Sequence, residues 1–318
     1  MSKILTVFGA TGTQGGSVIR AILAHPTLSQ VFKIRGITRD ASKPAAQSLI
    51  DQGIEVKEAD LTSKESLTKA LRGSHTVFLV TSPDFMAKQA DQELQQGRNV
   101  ADVSETEGVQ HLIFSSLVHV TKSTNGRLAH VKHFDYKAET EEYIRSKNIP
   151  STFVLPGYFM TNYIGLKLLQ KGEDGTDNLS YPTSSQAKFP LIDASSDMGL
   201  VFDNALNGTG SRLTDIVTSL LGKQILAAAK YYTPTEIVSE FTNITDKEAR
   251  FIPVDAETYK KFLPAVMADE LLENHLLIDE PGYFLGQRLD ESHKLLAGEG
   301  FTSTSWAEFL EQNKASFD

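Results

Sequence analysis

The segment VFGATGTQGG, residues 7 to 16, constrains this chain more than any other stretch. It ends an apolar run at 3 to 8 and leads into QGGSVIRAILAH, 14 to 25, where Val18, Ile19, Ile22 and Leu23 share one helical face. Glycines at 9, 12 and 15 then have separate uses. Gly9 permits a tight turn out of the strand, Gly12 lets backbone amides approach a pyrophosphate, and Gly15 lets the helix pack close to the sheet. The amino end of the helix favours the anion. A glycine turn without a ligand would share the pattern, but a position after a strand and before a helix, inside a strand-helix-strand unit, is the context a dinucleotide site requires. Thr11, Thr13 and Gln14 of the same turn are further candidate cofactor contacts.

Strand and helix patterns alternate from there. FKIRGITR (32 to 39), IEVKEAD (54 to 60), HTVFLVTS (75 to 82), VQHLIFSS (109 to 116) and PSTFVLPG (150 to 157) read as strands, with helices predicted at 45 to 51, 63 to 72, 88 to 107 and 133 to 147. Thr62 with Glu65 suggests a capping box for the second of these helices. The alternation predicts an α/β protein with a Rossmann-type, doubly wound parallel sheet. After Gly157 the rhythm is lost. Residues 158 to 190 have the composition of a movable loop, and two capping boxes follow at Thr233 to Glu236 and Ser305 to Glu308. The expected division is 1–157 as a dinucleotide-binding domain, to which the chain returns around 191–225, and 158–318 as a smaller mixed α/β domain closing the cleft. The stripe Trp306, Phe309 and Leu310 is expected to dock on its own domain.

Composition narrows the function classes. With no cysteine, thiolate chemistry and sulfur-ligated metals are excluded. Lys and Arg total 31 against 40 Asp and Glu, a net charge of −9 that disfavours direct nucleic-acid or anionic-lipid binding. No run reaches the length of a membrane span, and the amino-terminal apolar stretch dissolves into glycines without the core of a secretion signal. The expected compartment is the cytoplasm, with the nucleus also open. One basic stretch stands out: Lys122, Arg127, His130, Lys132, His133 and Lys137 face a single acid, Asp135, which suits a solvated loop as well as an anion site. His130 and His133 lack a suitably spaced third ligand, so no metal is expected.

The second strand bears on the dinucleotide. NAD sites usually place a carboxylate there, whereas Arg39, with Lys43 nearby, suits the 2′-phosphate of NADP. Asp40 leaves an alternative, in which Arg39 merely pairs with its neighbour. Asp60 with Leu61, and Thr81, end the third and fourth strands, where adenine, ribose and pyrophosphate would run; each also suits a cap or turn. Ser115 and Ser116 end the fifth strand, as ligand contacts or as ordinary strand-end hydrogen bonders.

VFGATGTQGG, ITRD, LIFSSLVHV, HFDYKAETEEYIRSKNIP and LPGYFMTNY together resemble the NmrA-like family of atypical short-chain dehydrogenases, and the resemblance spans the whole chain. It implies an NADP-binding Rossmann domain, a smaller domain over the cleft and, in several members, a sensing role. It also implies that Lys137 contacts the nicotinamide ribose, that Arg39 contacts the 2′-phosphate, and that Tyr158 and Phe159 line the nicotinamide side. Catalytic members of the wider superfamily carry a tyrosine four residues before that lysine, where this chain has His133. Positions i and i+4 share a helix face, so His133 and Lys137 converge, while Tyr136 points about 100° away from Lys137. His133 and Lys137 are therefore the candidate catalytic pair. Two functions follow: an NADP(H) sensor acting through a protein partner, or an NADPH-dependent reductase of a small carbonyl, quinone or imine compound. Oligomeric state is not legible.

Overall fold

The computed structural model describes residues 2–83, 91–207, 220–296 and 302–317. Its central sheet contains β1 (Lys3–Val7), β2 (Phe32–Thr38), β3 (Glu55–Glu58), β4 (Thr76–Leu79), β5 (His111–Ser115), β6 (Ser151–Pro156) and β11 (Gln224–Ala227), in the order β11-β6-β5-β4-β1-β2-β3. Every pairing is parallel. The chain moves outward from β1 through β2 and β3, then returns to β4 on the other side. Between β1 and β4 the order reverses, and this opens a crevice at the carboxyl ends of the strands.

Period-two alternation explains the layering. Val77, Leu79, Leu112, Phe114, Phe153 and Leu155 belong to one apolar cluster, whereas the intervening Phe78, Ile113 and Val154 belong to another. A strand buried on both faces must be apolar throughout, as β4 and β5 are. The first cluster is covered by α4 (Lys64–Leu71), α5 (Gln92–Thr106) and α7 (Lys132–Arg145); the second by α1 (Thr13–Ala24) and α9 (Asp197–Asn207). Short helices α2 (Leu28–Val31), α3 (Pro44–Asp51) and α6 (Val120–Ser123) complete this part. Small residues set the close approaches: a Cβ on Gly199 would lie 2.2 Å from the Ser17 carbonyl oxygen of α1.

Beyond Gly157 the chain builds two small sheets. One has the order β12 (Lys230–Tyr232), β10 (Phe189–Ile192), β7 (Tyr158–Phe159); the other β13 (Ala249–Pro253), β9 (Asp177–Tyr181), β8 (Leu169–Lys171). The segment with loop-like composition thus contributes four strands. All but β9 are too short to show a period, and the alternating DNLSY of β9 has only two apolar residues. Helices α8 (Thr161–Gly165), α10 (Pro234–Thr245), α11 (Ala256–Lys260), α12 (Ala268–Asp279), α13 (Asp290–Leu296) and α14 (Trp306–Asn313) accompany them. The capping boxes at Thr233 and Ser305 are both closed. Trp306, Phe309 and Leu310 face inward, and the Trp306 indole donates to the Ile237 carbonyl at 3.0 Å.

Two expectations change. Thr62 does not cap α4: Asp60 captures both its hydroxyl and its amide, so Ser63 becomes the cap and accepts from the Ser66 amide. Glu65 pairs with Lys69 instead of reaching back. The helix predicted from 88 is described from Gln92; residues 88–90 of that prediction, and 208–219 of the expected return, lie outside the described residues. Among the described residues no helix is long and apolar enough to cross a membrane.

Candidate functional site

The crevice begins with the glycine turn. Gly9 has φ +63°, a left-handed conformation that glycine adopts freely, and a Cβ there would meet Val80 Cγ1 at 2.8 Å. A Cβ on Gly15 would come within 2.3 Å of the Gly9 carbonyl oxygen, so only glycine lets α1 start this close to β1. Gly12 occupies the cap position of α1 with no side-chain cap and no acid in the first turn. The Gly12 amide is spent on the Gly9 carbonyl at 2.9 Å, and the first amides of α1 beyond it remain available to an anion. Ser115 of β5 donates to Gln14 Oε1 at 2.8 Å, tying the ends of β5 and α1 together. Thr11 and Thr13 are exposed beside them.

At the end of β2, Arg39 is exposed, and Asp40 does not pair with it. The Asp40 carboxylate accepts from the Ser42 amide at 2.9 Å and the Ser42 hydroxyl at 2.6 Å, contacts that hold it below the usual carboxylate range. Arg39 has no ion pair or hydrogen bond among the described residues, and exposed Lys43 stands at the start of α3. Asp60 is exposed, with one oxygen committed to Thr62, and the Leu61 carbonyl accepts from Asn99 at 3.0 Å. The cap-and-turn reading of Asp60 is therefore occupied geometry.

Lys137 and Thr81 meet in the interior. The Lys137 ammonium donates to the Thr81 carbonyl at 2.6 Å, to Thr81 Oγ1 at 2.8 Å and to Glu93 Oε1 at 2.7 Å. Thr81 Oγ1 in turn donates to Glu93 Oε1 at 2.8 Å. Glu93, in the first turn of α5, is a residue the sequence reading missed. A first-turn acid looks like an ordinary helix-dipole partner, and nothing local ties it to position 137.

His133 is held from the other side. Glu270 of α12 accepts from the His133 amide at 2.8 Å and contacts its Nδ1 at 2.5 Å. One turn along, Glu273 does the same for His130, with 2.7 and 2.5 Å. Two carboxylates three residues apart thus cap the amino end of α7 from a distant helix. The whole basic stretch finds protein acceptors: Lys122 pairs with Glu142, Lys132 with Asp135 and Lys137 with Glu93, while Arg127 donates to the Glu280 carbonyl. Lys132 pairs within its own helix and the others tie separate elements, while Lys122, Arg127, His130 and Lys132 stay exposed to solvent. Tyr136 is half-buried, and desolvation with the charges of Asp91, Glu139, Glu270 and Asp135 raises its pKa.

Tyr158 and Phe159 continue from the carboxyl end of β6. Tyr158 is buried, edge-on to Phe189 at 5.5 Å and to Tyr163 at 6.1 Å, and burial pushes its hydroxyl up to about 12. Phe159 is half-buried against the cluster that includes α1 and α9. The residues nominated by the sequence therefore gather along one sheet edge, Tyr158 and Lys137 from within and Arg39, Lys43 and Asp60 at the rim.

Comparison with known proteins gives one family. The NmrA-like family profile matches residues 1–310. An NmrA-like family domain-containing oxidoreductase, hkm9 of Aspergillus hancockii, is 28% identical over 317 residues, covering 93% of this chain and 89% of that one. The crystal structure of NmrA, a negative transcriptional regulator, in complex with NADP has a TM-score of 0.78 at 22% identity, covering 98% of this chain and 95% of that one. The NADPH-dependent quinone oxidoreductase QOR2 of Escherichia coli, complexed with NADPH, has a TM-score of 0.75 at 23% identity, with 97% and 99% covered.

Proposed function

The chain belongs to the NmrA-like family, and from that premise we propose that it binds NADP(H) in the crevice and serves as a cofactor sensor acting on a protein partner. The fit to the cofactor rests on three features of the site. A cradle at Gly9 and Gly15 has no room for side chains and is tight at Gly12, the amino end of α1 carries no cap, and the Arg39 guanidinium is exposed without a partner among the described residues. In this reading the amides from Thr13 to Gly15 hold the pyrophosphate, and Arg39 with Lys43 holds the 2′-phosphate. Asp60 and Leu61 flank the adenosine, Thr81, Ser115 and Lys137 face the ribose, and Tyr158 with Phe159 lines the nicotinamide. Residues 1–157, joined by the returning chain through α9 and β11, form the binding domain, and the remaining elements cover it.

The observation that favours sensing over turnover is that both acid-base candidates are already engaged. His133 is tied to Glu270 and Lys137 to Thr81 and Glu93. The Glu270 contact uses only Nδ1 of His133, and an imidazole so held can still pass a proton through its other nitrogen, so the weight falls on Lys137, whose three N–H donors are all spent. One fact favours a second reading: similar chains such as hkm9 are named oxidoreductases. NADPH supplies a hydride when bound, so a reductase of a small carbonyl, quinone or imine would need only a proton from His133 or water.

The test is a panel of quinones, aldehydes and imines followed by NADPH absorbance, alongside calorimetry with NADPH and NADH. Sensing predicts tighter binding of NADPH and no compound reduced faster than about 1 per second. Equal affinities for the two cofactors would sink the NADP assignment. Turnover above that rate, lost in His133→Ala while NADPH affinity is kept, would replace the sensor with the reductase.

A further inference from the structure

A lysine ammonium has three N–H donors, and Lys137 spends all three on Thr81 and Glu93. Glu93 receives both Lys137 and the Thr81 hydroxyl through a single oxygen, Oε1. Its other oxygen, Oε2, is shut off from solvent and has no hydrogen-bond partner among the described residues. The side chains are deeply buried, Glu93 at 5% and Lys137 at 8% exposure. A buried carboxylate oxygen without a donor is costly, and none of the described residues supplies one.

The chemistry of the missing partner follows from the atom. A carboxylate oxygen accepts, so the partner must donate; phosphate and carbonyl oxygens are ruled out. The position narrows it further. Thr81 follows Val80, whose side chain lies against Gly9 of the phosphate turn, and β4 stands between β1 and β5 at the point where strand order reverses. A sugar hydroxyl is the donor a dinucleotide brings there. Such a group both donates and accepts, whereas Glu93 accepts and Lys137 donates, so the pair can grip one hydroxyl, or two adjacent ones, from both sides.

We propose that Glu93 is a ribose-binding residue, whose Oε2 accepts from a hydroxyl of the nicotinamide-side ribose while Lys137 exchanges its bond to Thr81 Oγ1 for one to the sugar. This rests on the NADP(H) reading above. Lys137 keeps its bonds to the Thr81 carbonyl and Glu93 Oε1, so the ammonium never loses its counter-ion. Thr81 Oγ1 keeps its own bond to Glu93. The exchange therefore adds bonds without leaving a buried charge unpaired.

Two probes isolate the sugar: 2′-phospho-ADP-ribose carries the distal ribose without nicotinamide, and adenosine 2′,5′-bisphosphate stops short of it. Calorimetry on the full chain should show that Glu93→Gln cuts the affinity advantage of the first probe over the second by about 10-fold or more, the scale of a charge-assisted hydrogen bond, with the bisphosphate affinity unchanged. If Glu93→Gln fails to fold by thermal unfolding, Glu93→Asp, which keeps a charge beside Lys137 but draws the carboxylate back by one methylene, must show the same selective loss. An unchanged advantage in the folded variant, or an equal loss for both probes, overturns the assignment. Wild-type protein that binds neither NADPH nor the bisphosphate would instead overturn the cofactor reading.

Discussion

Mild acid should weaken the fold through two buried histidines, against partial resistance from one buried aspartate. His111 of β5 bonds through Nε2 to Thr152 Oγ1 at 2.9 Å, and that hydroxyl itself donates to the Leu220 carbonyl. His111 therefore carries its proton on Nε2, and Nδ1 keeps an unpaired lone pair. His275 of α12 contacts the Leu271 carbonyl through Nδ1 at 2.9 Å, which places its proton there and leaves Nε2 unpaired. Burial pushes both down to about 4, with His75 adding to the effect on His111. Between the ordinary value of 6.5 and about 4, the unfolded chain binds a proton at each site that the folded chain refuses. Stability must then fall as pH falls. From pH 7 to 4.5 each histidine loses about two units at about 1.36 kcal/mol per unit, or about 5 kcal/mol together.

Asp197 has the opposite sign. It is 1% exposed, and burial, with the charge of Asp193, raises it to about 6 despite its bonds from Thr304. The folded chain holds that proton between about 6 and 3.8, where the unfolded chain has released it, so stability rises as pH falls through this range, by about 2 kcal/mol down to pH 4.5. The net expected loss from pH 7 to 4.5 is about 3 kcal/mol. Urea unfolding at stepped pH, followed by the fluorescence of the single, fully buried Trp306, measures it. Asp197→Asn should deepen the loss to about 5 kcal/mol. Flat or rising stability on acidification, or an unchanged slope in Asp197→Asn, would refute the argument.

Two further outcomes concern the site. Arg39→Ala should weaken NADP binding by about 1.5 to 3 kcal/mol and leave NAD nearly unchanged in calorimetry, because the exposed guanidinium has only the 2′-phosphate to gain; equal losses for the two would remove Arg39 from that role. Lys137→Met strands Glu93 in the interior and should cost about 3 to 5 kcal/mol in urea unfolding. Glu93→Gln/Lys137→Met should cost at least about 1 kcal/mol less than the two single losses added, and strict additivity would mean the pair is not coupled.

The sequence by itself determined the parallel strands and the glycine turn, because these depend on short-range rules, whereas Lys137, Tyr158 and Phe159 were nominated by family resemblance. A strand covered on both faces must be continuously apolar, as TVFL is in β4. A helix that begins against its own strand needs glycine at 15, since the obstructing carbonyl belongs to Gly9 only six residues earlier. The loop-like stretch after Gly157 escaped those rules, since the two residues of β7 or the three of β8 cannot display a period. Partner choice was decided only by the tertiary structure. Asp40 lay beside Arg39 in sequence yet took Ser42, because a backbone amide and hydroxyl two residues on cost less chain ordering than holding a long exposed side chain. Glu93 came to Lys137 across 44 residues, and Glu270 to His133 across 137. Both depend on which helices lie side by side, and no local spacing records that. Burying the Lys137 ammonium is costly unless a carboxylate accompanies it, so its site had to include an acid; only the packing of α5 against α7 showed that the acid was Glu93.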